Sequence, residues 1–227
     1  MRAVRCPEGK PTVVDLPEPS GEGIVVTVAS AGICGSDLHL LNFDLPATFG
    51  HEFAGTLADG TPVAVEPIDP CFVCEACIDG NTQLCVRGPS MAFGVGRDGG
   101  MAEKVIVPAT SIARLPAGVA ASNGCLVEPL AVAVHGIRRG NIRGTDRVAV
   151  IGGGTIGQTA LVVAQQTGAK VDLSARHERQ IEAATRLGAG SVDGHGYDIV
   201  IEAAGSSSAL AEAADRCRPG GTIVLLG

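Results

Sequence analysis

RVAVIGGGTIG, residues 147–157, decides the fold of the second half of this chain. An apolar run ends in G-x-G-x-x-G, formed by Gly152, Gly154 and Gly157. A helical pattern follows, with Ile156, Ala160, Val163 and Ala164 on its packing side and Gly168 closing it. The first glycine suits a tight turn, the second admits a pyrophosphate, and the third lets helix and strand pack closely. The phosphates then meet the free N–H groups of a helix N-terminus. An ordinary glycine-rich turn is the plain alternative, and the strand before it and the helix after it argue against that reading. Thr155 and Ile156 lie in the same turn and join the cofactor-binding candidates.

Toward the C-terminus, KVDLSA (170–175), YDIVIEAAG (197–205) and GTIVLLG (221–227) read as strands. ERQIEAATRLGAG (178–190) and SALAEAADRCRPGG (208–221) read as helices with glycine at or past the end. Alternating strand and helix predict an α/β doubly wound parallel sheet, with GTIVLLG as its fifth strand. Ala204, Gly205 and Gly227 at strand ends complete the cofactor-binding set. An NAD site carries an acidic residue at the end of the second strand, ~20 residues past the glycines. Here that end falls near Ala175, and Asp172 lies within the strand. Ala175 is followed by Arg176 and His177. A small residue beside a guanidinium suits a 2′-phosphate, so NADP is favoured over NAD. A solvated charge at a strand end is the alternative for Arg176.

Upstream the pattern is β-rich to about Asn123. GIVVTVASAGI (23–33), TPVAVEPI (61–68) and MAEKVIVPAT (101–110) are runs rich in β-branched residues, broken by Gly and Pro. EPLAVAVHGIRR (128–139) then reads as a helix. Two domains are expected, residues 1–123 and 124–227.

The first of them carries the metal ligands. Cys71, Cys74, Cys77 and Cys85 stand in CFVCEACIDGNTQLC with spacing C-x2-C-x2-C-x7-C. Four thiolates that close together form a closed structural zinc site. Disulfides fit poorly, because a C-x2-C bridge closes a very short loop and serves redox chemistry. Cys34, His51 and Glu52 form a second, mixed set, and a catalytic zinc takes three such ligands and keeps a position open. Alone, Cys34 reads equally as a small buried residue, and His51 as a core histidine. Gly32, Gly35, Gly50 and Gly55 bracket the two, which suits turns that aim side chains inward.

GICGSDLH (32–39), GHEFAG (50–55), the four-cysteine lobe and VIGGGTIG (150–157), in this order, resemble the zinc-dependent medium-chain alcohol dehydrogenases. The branch with sorbitol and threonine dehydrogenases is the most similar. The resemblance implies a β-rich GroES-like catalytic domain followed by a Rossmann domain. It implies two zinc ions, catalytic and structural, and hydride transfer between a secondary alcohol or polyol and NAD(P). Cys34, His51 and Glu52 match the catalytic ligands, and Glu128 matches a fourth ligand or a water-mediated carboxylate. Glu128 reads otherwise as charge compensation at a helix start. Ser36 and His39 match a proton relay, and Asp37 matches a carboxylate orienting the ligand histidine. Without the resemblance, Ser36 and Asp37 pass as turn residues and His39 as surface. The stretch from His39 to His51 is short for the family, which predicts an open substrate mouth. The family continues past the fifth strand, so a C-terminally incomplete, non-catalytic zinc- and dinucleotide-binding relative is the alternative. An exposed fifth strand favours a homo-oligomer.

Bulk properties narrow the partners. The 227 residues carry a net charge of −7 with scattered basic residues, against nucleic acid or anionic membrane as partners. No apolar run approaches the ~20 residues of a membrane span. The N-terminus lacks an apolar signal core, and cysteines arranged as ligands fit a reducing cytoplasm. Cys6, Cys125, Cys217, His135 and His195 have no ligand spacing and carry no expected chemistry.

Overall fold

The computed structural model describes residues 1–227. The chain forms two compact units, Met1–Glu128 and Pro129–Gly227.

The first unit opens with an antiparallel hairpin, β1 (Arg2–Arg5) and β2 (Thr12–Asp15). Then come β3 (Ile24–Ala31), helix α1 (Gly35–Leu40), β4 (Phe53–Thr56) and β5 (Pro62–Val65). Two single-turn helices, α2 (Glu75–Ile78) and α3 (Gly88–Met91), shape the cysteine lobe, and β6 (Lys104–Val107) and β7 (Ile112–Arg114) follow. Five strands pair antiparallel in the order β6-β3-β4-β5-β7. Val26, Val63, Val105 and Val107 turn inward around Phe53 and Phe93, whose rings meet edge to face at 5.8 Å and 83°. Burying each such side chain contributes about 1.5–3 kcal/mol. Phe53 directly follows His51 and Glu52, so a core ring anchors the segment that carries two ligand candidates. The hairpin, β4 and β7 extend the three strands expected from the sequence.

Helix α4 (Val127–Arg139) begins at the unit boundary. The second unit continues with β8 (Arg147–Ile151), α5 (Thr155–Gln165), β9 (Lys170–Ser174), α6 (Glu178–Arg186), β10 (Gly190–Ser191), β11 (Tyr197–Glu202), α7 (Ser207–Arg216) and β12 (Cys217–Leu225). The strands are parallel, in the order β10-β9-β8-β11-β12. Successive residues point to opposite faces. Val148 and Val150 face one layer with Leu161 and Ala164 of α5, while Ala149 and Ile151 face the other with Ala209 and Ala213 of α7. Both faces are covered, which is why these strands read as continuous apolar runs. The expected parallel sheet is present with the 221–227 segment as its fifth strand in chain order; the strand without an expected segment is β10.

One boundary differs. The sequence pattern runs the last helix up to its closing glycines, Gly220 and Gly221, whereas α7 stops at Arg216 and β12 starts at Cys217. The register jumps from Tyr197↔Cys217 to Ile199↔Thr222, so the residues between bulge out of the ladder. Pro219 cannot extend a helix. The Arg218 guanidinium is instead drawn to Asp198 at 2.7 Å. No helix is long and apolar enough to cross a membrane.

Candidate functional site

Cys34 precedes α1 and His51 precedes β4, and the fold brings them together with Glu52. The three ligand atoms lie within 4.8 Å of one another. Asp37, buried in the first turn of α1, organises the group. Its Oδ2 accepts the N–H of Cys34 at 2.9 Å, and its Oδ1 faces Nδ1 of His51 at 3.4 Å. The other ring nitrogen, Nε2, is thereby turned toward Cys34 and lies 3.5 Å from the Ser36 hydroxyl. A Cβ on Gly32 would collide with the Glu52 carboxyl, so this glycine makes room for it. The electrostatics fit a cation site. Without a metal, Asp37 and then Cys34 hold His51 protonated up to about 10. His51 in turn draws the Cys34 thiol below its usual value, and burial pushes the Glu52 carboxyl up. A thiolate, an imidazole and a carboxylate so placed suit zinc with an open coordination position.

Glu128 lies outside this three-residue cluster. Its half-buried carboxyl is pushed up chiefly by burial, and it feels the charges of His51 and Glu52. His39 is exposed on α1, and its side chain makes no hydrogen bond to Ser36 or His51.

The four lobe cysteines converge as well, with all sulfurs within 4.8 Å and none in a disulfide. Cys71 and Cys77 sulfurs are 4.0 Å apart, close to the ~3.8 Å of tetrahedral thiolates at ~2.3 Å from zinc. Backbone N–H groups, that of Val86 foremost, hold Cys74 down at about 6, whereas burial and the sulfur of Cys74 push Cys77 up to about 12. Sulfurs this close cannot all ionise without a cation among them, so the donor set fits zinc. Cys77→Ser should therefore release a zinc ion and lower the melting temperature, because metal binding is folding energy here. Unchanged zinc content and melting temperature would contradict that role.

In the second unit, Gly152, Gly154 and Gly157 form the turn between β8 and α5, with Thr155 and Ile156 in the first turn of that helix. A Cβ on Gly157 would strike the carbonyl oxygen of Gly152, so helix and turn touch through backbone. Beside the turn lies a cleft of about 670 Å³, lined by Gly152–Gly154, Ala175, Arg176, His177, Ala203 and Ala204. It sits at the carboxyl ends of the strands, where β8 separates β9 from β11 and the strand order reverses. Dinucleotides bind at that place in open α/β sheets. Ala175 follows the last residue of β9, and Arg176 and His177 are exposed. Asp172 does not face the cleft. It is buried and accepts a hydrogen bond from the Tyr197 hydroxyl at 2.9 Å. Gly205 and Gly227 do not line the cleft but pack on each other behind Ala204.

Two residues escape sequence reasoning. Gln158 Nε2 donates to the carbonyls of Gly153 and Gln180 at 3.3 and 2.9 Å, tying the glycine turn to α6. Glu202 is buried at the end of β11. The available signal was a carboxyl group closing an apolar strand.

Known proteins share this chain's sequence and fold. Residues 20–117 match the alcohol dehydrogenase GroES-like domain. The chain is 34% identical over 197 residues to 2-dehydro-3-deoxy-L-galactonate 5-dehydrogenase of Pseudoalteromonas atlantica, covering 80% of this chain and 57% of that protein. It is 31% identical over 262 residues to L-galactonate-5-dehydrogenase of Escherichia coli K12, covering 100% of this chain and 76% of that one. That aligned span exceeds the 227 residues present, so the relative carries insertions relative to this chain. A candidate zinc-binding dehydrogenase of Sinorhizobium meliloti 1021 bound to NADP superposes with a TM-score of 0.89. It is 33% identical, with 100% of this chain and 76% of that one covered.

Proposed function

Because this chain belongs to the zinc-dependent medium-chain alcohol dehydrogenase family, we propose that it is an NADP-dependent oxidoreductase acting on a secondary alcohol or polyol. The observation that carries this is the convergence of Cys34, His51 and Glu52 on one point. A zinc ion held there supplies Lewis-acid polarisation of a substrate oxygen, and the dinucleotide supplies hydride chemistry.

The chain's own residues do the rest. Asp37 fixes the ring of His51 and the backbone of Cys34, so both ligands are oriented before a metal arrives. The Ser36 hydroxyl, 3.5 Å from His51 Nε2, stands beside the reacting position and takes the substrate proton. His39, one turn along α1, passes it to solvent. Glu52 would serve as third ligand, and Glu128 as a fourth ligand or a carboxylate reaching the ion through water. The Gly152–Gly157 turn receives the pyrophosphate, and Arg176 with His177 receives the 2′-phosphate. The two named galactonate-type relatives favour a polyhydroxylated substrate. Eight unpaired cysteines fit a cytoplasmic setting.

Cofactor choice tests the second unit. NADPH should bind more tightly than NADH. Arg176→Ala should remove most of the difference, about 1.5–3 kcal/mol if one charged hydrogen bond is lost. Titration of parent and variant with both cofactors measures it. Equal affinities in the parent would contradict the assignment. The overall reading is tested by following NADPH consumption by the zinc-loaded protein over a panel of ketones and keto-sugars.

A further inference from the structure

Strand β11 ends in Glu202, a carboxyl group that follows the apolar run Ile199–Ile201 and is only 4% exposed. Burying such a group is costly unless it is well hydrogen-bonded. Here a single atom, Oε1, accepts two backbone N–H groups, those of Ala204 at 2.8 Å and Gly205 at 2.9 Å. These N–H groups belong to the turn that leaves the strand. The backbone oxygen of the same residue accepts the N–H of Leu226 at 2.8 Å and of Gly227 at 3.2 Å. Glu202 thus ties together the segments that follow β11 and β12. Gly227 packs directly on Gly205, too close to admit a Cβ.

What this knot supports is the cofactor cleft. Ala203 and Ala204 line it directly against Gly152, and Ala175 with Arg176 lines it past the end of β9, on the other side of β8. In a sheet of this strand order the adenosine half lies over β8 and β9, leaving the nicotinamide half over β11 and β12. We propose that Glu202 is a positioning residue for the nicotinamide end of the cleft. Its carboxyl oxygen holds the Ala203–Gly205 turn in the shape that end requires. The inference rests on the reading of this unit as a nicotinamide dinucleotide site. Ala204 and Gly205 are themselves exposed, so without the acceptor their N–H groups turn to water and the Ala203–Gly205 turn loses the anchor that fixes its shape. An amide oxygen accepts the same two bonds, so geometry rather than charge is what the position demands.

The experiment is a calorimetric titration of the zinc-loaded full chain with two ligands. One is NADPH and the other is 2′-phospho-ADP-ribose, which lacks only the nicotinamide. Glu202→Ala should weaken NADPH about tenfold, as loss of the two hydrogen bonds that shape the turn implies, and leave the fragment within about twofold of the parent. Glu202→Gln should bind both ligands as the parent does. If Glu202→Ala does not fold, Glu202→Asp, which withdraws the oxygen from the turn, should show the same selective loss. The proposal is overturned if NADPH affinity is unchanged in Glu202→Ala or, where that variant is unfolded, in Glu202→Asp. It is also overturned if both ligands weaken equally, which marks a general folding role, or if Glu202→Gln is as impaired as Glu202→Ala. A parent protein that binds neither ligand overturns the cofactor reading itself, and that failure is recognised before any variant is compared.

Discussion

Cys34→Ala should abolish turnover and lower bound zinc from two ions to one per chain, while NADPH affinity should stay at the parent level. The thiolate is one of three ligands within 4.8 Å, and its loss leaves an imidazole and a carboxyl group to hold the ion. Two such ligands do not make a catalytic zinc site. The Asp37 contact to the Cys34 backbone is retained in the variant, so α1 still starts in place. The dinucleotide turn belongs to the other compact unit, so its affinity is independent of the substitution. Elemental analysis, turnover and NADPH titration on one preparation measure the three effects. Residual turnover near the parent rate, or a parallel loss of NADPH binding, would contradict this assignment.

Gly157→Ala should unfold or loosen the second unit and remove dinucleotide binding. Two effects compete at this position. Alanine in a helix is worth about 1 kcal/mol over glycine. Its methyl, however, would overlap the carbonyl oxygen of Gly152, a backbone atom that no rotamer change can move. Overpacking against a fixed atom costs about 1–3 kcal/mol or more, so the clash wins. Relief would require α5 to lift from β8, and Ala160, Leu161 and Ala164 are buried in that contact. A fall in thermal midpoint together with loss of NADPH affinity is the expected result. An unchanged midpoint would mean that helix and turn are farther apart in solution.

The chemistry of this chain is written in short, local spacings, which is why much of it is legible in the amino-acid order alone. The four lobe cysteines fall within fifteen positions, and the glycine turn lies between a strand and a helix that both announce themselves. The pairing of Cys34 with His51 needed the family resemblance, because nothing in the spacing says that residues 34 and 51 meet. Other features depend on partners remote in the chain. Asp172 finds Tyr197 across 25 positions, and Glu202 acts through the turn it caps. Strand β10 has two residues and is held by pairing with β9, so no periodicity could reveal it. The start of β12 at Cys217 is set by its pairing with Tyr197 and by the Arg218–Asp198 contact, neither of which the Cys217–Gly221 segment announces. His39 stands on α1 three residues from Ser36 and makes no side-chain hydrogen bond to it, so its relay role belongs to the proposal and not to the observed contacts.

The most direct measurement is metal-dependent turnover with cofactor consumption as the readout. The zinc-loaded full chain is mixed with NADPH and a panel of ketones and keto-sugars, stripped with a chelator, and reloaded with zinc. The account predicts consumption of NADPH with at least one carbonyl substrate, its loss after stripping, and its return on reloading. A protein that binds both zinc and NADPH, yet turns over no member of the panel in either direction, would contradict it and leave a zinc- and dinucleotide-binding protein without catalysis.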